Sequence, residues 1–362
     1  MKVVVVHPYM SVLGGGEQVC LHIVKALVEE GHEVNLVSDL AEKNKLAQLV
    51  GLNVLEAVKH ITYNTFEPKI KKFSIYQRIF HHRPMKDKIK KQIQKADLEF
   101  LTQDVIFLSD IGKETVAYVH YPEYFMHLEE ASAKSRWFWK LYYAPVQWHL
   151  HRKVGKIKLF ICNSEYTKKA IEEKWGKKAV IVYPPVDVTK IKPMTKERFV
   201  VSVGRFVKEK NYEMVLKVAK LLPKVKFVII GRKQDRDYYE RIKDQKTDNV
   251  ALFADLPQAE LFSMLGKAKV YLHAMIGEHF GISIVEAMAA GCVPVVHNSG
   301  GARDIVHNVG YVYDDVEECS EYVQQALSEE VDTSKIVEKA KNFSSERFKK
   351  QIKETLKENG IL

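Results

Sequence analysis

Val3 to Val6 form an unbroken apolar run near the start of the chain, and this constrains the fold more than any other stretch. Continuous apolar strands belong to parallel sheets covered on both faces, and such sheets need helical crossovers. The sequence supplies one. A loop from His7 to Gly16 ends in three glycines, Val19, Ile23, Ala26 and Leu27 recur at helical spacing, and Gly31 precedes a second apolar run, Val34 to Val37. That is a βαβ unit. The same layout restarts at Phe199–Val203, with a loop Gly204–Asn211, a helix Tyr212–Leu222 and a strand Val225–Ile230. Between the two lies an aperiodic stretch with prolines and lysines, Pro185 to Lys196, which reads as a linker. The expected architecture is α/β: two doubly wound domains, 1–190 and 191–343, facing across a cleft at the carboxyl ends of their strands. Residues 344–362 form a basic helix with Phe348, Ile352 and Leu356 on one face, long enough to pack back on the N-terminal domain.

Further strands are expected at Val105–Leu108, Thr115–Val119, Leu159–Cys162, Val180–Tyr183, Val250–Phe253, Val270–His273 and Val293–Val296. Helices are expected over Arg136–Arg152 and from Asn163-Ser164-Glu165 to Trp175. Gly51 to Lys95 shows only mixed helix and loop. At 362 residues the chain exceeds one ordinary core. No apolar run is long enough to span a bilayer, and His7-Pro8 ends the first run too early for a signal peptide. Cys20, Cys162, Cys292 and Cys319 lie far apart without zinc-ligand spacing, so buried thiols in a cytoplasmic protein are expected.

Chemistry concentrates in Glu278-His279-Phe280-Gly281-Ile282-Ser283-Ile284-Val285-Glu286, continued by Ala287 to Gly291. This reads as a strand, a tight loop and a helix N-terminus with a carboxylate on either side. Backbone N–H groups there suit anionic oxygens, and carboxylates suit hydroxyls. Arg205 and Lys210 follow a strand and suit a diphosphate, unless both are simply solvated. Gly14, Gly15 and Gly16 allow close approach of a ligand to the main chain, or form a plain flexible turn. His120 ends the Thr115–Val119 strand, where ligands of open α/β sheets bind. Asp235 and Asp237 form a D-x-D, which is read as a solvated loop in preference to a metal site. The net charge of +10 favours anionic partners. Two basic stretches carry it: Lys69–Lys95, with ten Lys/Arg against Asp87, and Lys134–Lys158, interleaved with Trp137, Phe138, Trp139, Tyr142, Tyr143 and Trp148. The second fits an anionic lipid surface or a core helix; nucleic acid is set aside.

With EHFGISIVEAMAAG from Glu278 and GRFVKEK from Gly204, the chain resembles the retaining glycosyltransferases of family 4, which have the GT-B fold of two Rossmann-like domains. Within that family, His7-Pro8-Tyr9, GGGE at Gly14–Glu17, YVHYP at Tyr118–Pro122, NSEYTKKAI at Asn163–Ile171, VYPPVD at Val182–Asp187 and HNSGG at His297–Gly301 are similar to the α-1,2-mannosyltransferases that extend dolichol-diphosphate-linked glycans from GDP-mannose. The resemblance implies that Arg205 and Lys210 neutralise the leaving nucleoside diphosphate and that Glu278 stabilises the sugar ring. It implies that the amides of Phe280, Gly281 and Ile282 bind donor oxygens and that Glu286 accepts from ribose hydroxyls. Gly14 to Gly16 would close on the donor, and His120 would sit near sugar and acceptor. No metal or other cofactor is implied. GDP-mannose is the favoured donor and a polyprenyl-linked glycan the favoured acceptor. A UDP-sugar transferase, or a basic protein that binds nucleic acid or membrane without turnover, is the rival reading. The eukaryotic relatives carry an N-terminal membrane helix, whereas this chain begins at its first strand. Membrane contact is therefore expected to be peripheral, at the cytosolic face. The segment Gly300–Val306 is shorter than the relatives' pattern.

Overall fold

The computed structural model describes the chain except residues 13, 65, 71, 72, 94, 95, 104, 107, 108 and 123–132. It divides into two compact units, Met1–Pro185 with Phe348–Leu362, and Val186–Arg347.

The first unit is built on a seven-stranded parallel sheet. Its strands are β1 (Lys2–His7), β2 (Glu33–Asp39), β3 (Lys59–Tyr63), β4 (Ala96–Leu101), β5 (Gly112–Val119), β6 (Leu159–Cys162) and β7 (Ala179–Ile181). Their order is β3-β2-β1-β4-β5-β6-β7, so the direction of winding reverses between β1 and β4. Val3 and Val5 face one core layer with Val19, Ile23 and Leu27 of the Gly15–Glu29 helix. Val4 and Val6 face the other, with Ile89 and Ile93 of the Ser74–Ile93 helix and Val146, Leu150 and Val154 of the Ala133–Val154 helix. This alternation explains why β1 carries no polar residue between its ends.

The C-terminal helix Ser345–Glu358 contributes Phe348, Ile352 and Leu356 to the first of these layers. Lys349 bonds both carboxylate oxygens of Glu29 (2.9 and 3.0 Å), and Lys353 and Lys357 reach Glu30 at 3.1 Å.

The second unit has six parallel strands: β8 (Glu197–Val203), β9 (Lys226–Gly231), β10 (Val250–Ala254), β11 (Ala268–His273), β12 (Val293–His297) and β13 (Tyr311–Tyr313). The order is β10-β9-β8-β11-β12-β13, which reverses between β8 and β11. Where the chain enters and leaves this unit, Val186 and Ser344 pair as a parallel bridge. Val186 N–H donates to Phe343 C=O (2.9 Å), and Ser345 N–H to Val186 C=O (3.2 Å).

Three sequence expectations change. Val105 and Ile106 are buried in bends and not in a strand, and residues 107 and 108 lie outside the described residues. The strand is Ala96–Leu101 instead. Its apolar run is interrupted by Glu99, which is fully buried and accepts from Asp110 N–H, Ile111 N–H and the Thr115 hydroxyl, each at 3.0 Å. Within Gly51–Lys95, the edge strand β3 and the 20-residue helix Ser74–Ile93 were not distinguished. That helix runs through Pro84, a residue that usually breaks one. The Val180–Tyr183 strand is shorter, ending at Ile181.

Candidate functional site

In an open parallel sheet, the carboxyl ends at the point of reversal leave a crevice unfilled by crossover connections. Each unit gathers its notable polar residues there.

In the second unit, β8 leads into Gly204–Lys210 and β11 into the loop that carries Glu278. Lys210 Nζ lies 2.7 Å from Glu278 Oε2, and His273 Nε2, at the end of β11, lies 3.2 Å from the same oxygen without hydrogen-bond alignment. Both members of the Lys210–Glu278 pair are largely buried. Burial alone would raise the Glu278 carboxyl, but His273 and Lys210 outweigh it and hold it well below the usual carboxylate range. Burial lowers His273 against the opposing pull of Glu278. The consistent charge state is an ionised Glu278 against a cationic Lys210, with His273 neutral.

The backbone of Glu278 is clasped by the HNSGG turn. Gly301 N–H donates to Glu278 C=O (2.7 Å), and Gly277 N–H donates to Ser299 Oγ (2.8 Å), which also contacts His297 Nδ1 (2.8 Å). Gly300 has φ +69°, and a Cβ there would fall 2.2 Å from Glu278 O, so only glycine fits. Gly281, at φ +109°, is the N-cap of the Ile282–Ala289 helix and redirects the chain into it. Phe280 is buried, its ring 5.6 Å from that of Phe343, which anchors the turn from below. The first N–H groups of a helix lack partners within it. The Gly281–Ile282 backbone therefore occupies a natural anion-binding position.

Glu286 lies in the second turn of this helix. Among the described residues no hydrogen bond or ion pair engages its carboxylate, and burial pushes it up to about 7. A half-buried, desolvated carboxylate without a protein partner is costly, and it is ready to accept from a ligand.

Arg205 is exposed, with its guanidinium donating to Gln234 Oε1 (3.0 Å). The structure thus brings Lys210 to Glu278 and leaves Arg205 on the surface of the loop. Asp235 caps the Arg236–Gln245 helix by accepting from Tyr238 N–H (2.9 Å), which gives the first acid of the D-x-D a structural task. No cluster of three His, Cys, Asp or Glu side chains suited to a metal occurs among the described residues.

In the first unit, Gly14 is the N-cap of the Gly15–Glu29 helix, so Gly15 and Gly16 open its first turn. Gly14 N–H donates to Glu17 Oε2 (2.5 Å), Glu17 Oε1 meets His7 Nε2 (3.4 Å), and His7 Nδ1 lies 2.8 Å from Thr102 Oγ1. Burial opposes charge on His7, but Cys20 and Glu17 outweigh it and raise it to about 9. His120 Nε2 donates to Thr102 C=O (3.0 Å), and the position a Gly16 Cβ would occupy is 3.4 Å from that nitrogen. His120 and the glycine turn therefore meet beyond β1, β4 and β5.

Sequence reasoning missed His273, Ser299, and the His7–Glu17 pair beneath the glycine turn. A histidine closing an apolar strand at the point of reversal was the available signal for His273. The four cysteines are buried free thiols.

Two doubly wound units with polar residues at both points of reversal are the architecture of the GT-B glycosyltransferases. Residues 13–190 match the model described as Glycosyltransferase Family 4, and residues 185–349 match the one described as Glycosyl transferases group 1. The chain belongs to these glycosyltransferases. It is 28% identical to a Dictyostelium discoideum protein named GDP-Man:Man(3)GlcNAc(2)-PP-Dol alpha-1,2-mannosyltransferase, over 97% of this chain and 83% of that one. Proteins of the same name from Homo sapiens and Caenorhabditis elegans are 34% and 31% identical. Those matches cover 52% and 63% of this chain, and 45% and 60% of the relatives, less than two thirds of their length. Among solved structures, the fold is similar to Anabaena HepE in complex with UDP and glucose (TM-score 0.72, 17% identity, 99% of both chains). It is also similar to sucrose-phosphate synthase from Thermosynechococcus elongatus (TM-score 0.74, 13% identity, 98% of both chains).

Proposed function

We propose that this glycosyltransferase transfers mannose from GDP-mannose, with retention and without a metal, to a polyprenyl-diphosphate-linked glycan. The observation that carries the proposal is the pairing of Lys210 with Glu278 at the point of reversal that also places Glu286, whose carboxylate has no partner among the described residues. The named relatives support the choice of donor and acceptor.

Breaking the glycosidic bond builds negative charge on the nucleoside diphosphate. Arg205 and Lys210 supply fixed positive charge for it, in the role a divalent ion plays elsewhere. Glu278, ionised and fixed by the Gly300-Gly301 turn, faces the sugar and stabilises the cationic character of its ring. The amides of Phe280, Gly281 and Ile282 bind donor oxygens. Glu286 accepts from the ribose hydroxyls, which replaces the solvation it lacks. In the first unit, Gly14, Gly15 and Gly16 give the donor close access to the main chain, and His120 serves the sugar and the acceptor. The acceptor hydroxyl attacks from the face the diphosphate leaves, and the leaving phosphate takes its proton.

Thermal unfolding with GDP, UDP, ADP or TDP tests the donor, because a ligand stabilises the folded state by mass action. GDP should give the largest shift. A larger shift with UDP would replace the donor by a UDP-sugar. Transfer should persist in EDTA, and strict dependence on Mn²⁺ would overturn the metal-independent mechanism.

A further inference from the structure

His273 closes β11, and its imidazole is buried within the second unit. Its Nε2 lies 3.2 Å from Glu278 Oε2 but out of line for a hydrogen bond, and that nitrogen is buried without a hydrogen-bond partner among the described residues. A buried polar atom in that condition is costly, and here it stands beside an ionised carboxylate.

The surroundings fix which nitrogen carries the proton. An ionised Glu278 can only accept, so the nitrogen facing it is favoured as N–H. A neutral ring then has Nδ1 as its acceptor. Tyr271 Oη, itself buried, lies 3.4 Å from Nδ1, and Ser283 Oγ lies 2.8 Å from Tyr271 Oη. The Ser283 hydroxyl therefore donates to Tyr271, Tyr271 donates to Nδ1, and the Nε2 proton is left on the Glu278 side. Tyr313 Oη donates to His273 C=O (3.1 Å) and holds the backbone there.

Both cation and imidazole meet one carboxylate oxygen. Lys210 Nζ takes Glu278 Oε2 at 2.7 Å, and it also touches Met275 Sδ at 3.3 Å, a weak acceptor. Among the described residues no hydrogen bond engages Glu278 Oε1. A lysine that serves a diphosphate must share or give up Oε2. Without a replacement, that would leave a largely buried carboxylate uncompensated.

We propose that His273 is a positioning residue that takes over Glu278 Oε2 when Lys210 turns to the donor diphosphate. A small rotation of the carboxylate brings Nε2–H into line, and the chain from Ser283 through Tyr271 holds the ring ready for it. Glu278 thus keeps its charge and its place through donor binding, with Oε1 left for a sugar hydroxyl. The inference rests on the diphosphate role given to Lys210 above, and it does not depend on which base the nucleotide carries.

Calorimetric titration of the full chain with GDP and with UDP tests it. His273→Leu should weaken binding of the preferred nucleotide by about tenfold, although the buried ring contacts no ligand in this scheme. In the Lys210→Met background the same change should alter affinity by less than about twofold, because no lysine remains to be exchanged. His273→Gln keeps an N–H within reach of Glu278, and it should restore most of the affinity and most of the turnover. Tyr271→Phe removes only the hydroxyl that sets the tautomer, and affinity should fall by about threefold. Should His273→Leu fail to fold, native affinity in Tyr271→Phe would overturn the proposal. Native affinity in a folded His273→Leu would overturn it too, as would equal impairment of the leucine and glutamine variants. So would a His273→Leu defect that persists undiminished in the Lys210→Met background. Full affinity in Lys210→Met by itself would count instead against the diphosphate role of Lys210.

Discussion

Replacing Glu286 by Gln should stabilise the protein above neutral pH while weakening nucleotide binding. Burial raises the carboxyl from its ordinary 4.5 to about 7 with no partner among the described residues. A folded-state value above the unfolded one means that the native state holds the proton more tightly. The associated stability is fully present below about 4.5 and is lost as pH rises through about 7. The full shift corresponds to about 3 kcal/mol, and the surface Glu286 retains reduces this to about 2–3 kcal/mol. Gln cannot ionise, so it escapes that loss. At pH 5 the two proteins should unfold within about 1 kcal/mol of each other. At pH 8 the variant should melt higher by roughly 5–10 °C, at about 2–4 °C per kcal/mol for a unit of this size. Calorimetric melts at several pH values make the comparison. Calorimetric titration with GDP should show affinity falling by about tenfold, because a neutral acceptor replaces a charged one. An equal melting temperature at pH 8, or a difference independent of pH, would refute the reasoning, since either means that the carboxylate is hydrated or paired.

Lys210→Met should strand Glu278 beside a neutral His273 and cost about 3 kcal/mol in urea unfolding, with most of it recovered in Lys210→Met/Glu278→Gln. Glu278→Ala should abolish sugar transfer in a radiolabelled-donor assay while leaving circular dichroism unchanged. Gly300→Ala places a Cβ 2.2 Å from Glu278 O. It should lower kcat far more than it lowers melting temperature, and equal turnover would remove the clasp from the argument. Leu356→Ala, fully buried in the first unit, should cost about 2–5 kcal/mol. A melt unchanged by this substitution would mean that the C-terminal helix does not support that core.

Most of the sheet was legible because both faces of each central strand are buried. Val3 to Val6 and Val200 to Val203 had to be apolar, or nearly so, throughout. β4 was not legible because Glu99 interrupts it, and burial of Glu99 is tolerable only through donors at Asp110, Ile111 and Thr115. β3 is a polar edge strand without the period of either element. At the site, the two carboxylates and the two cations announced themselves by interrupting apolar or glycine-marked stretches. His273 offered only a histidine closing an apolar strand, which does not single it out until its neighbour across the sheet is known.

The sequence by itself determined the local grammar. It set strand, glycine turn and helix in each half, the break after Pro185, and the glycines at Gly281 and Gly300 where the backbone leaves the space of other residues. These follow from interactions spanning a few residues, which periodicity and side-chain type express directly. Only the tertiary structure decided that Lys210 meets Glu278 across 68 positions and that Glu286 lacks a partner among the described residues. Desolvation and ion pairing depend on everything that surrounds a group in space. Chain order does not carry that information until the sheet has placed β8 beside β11.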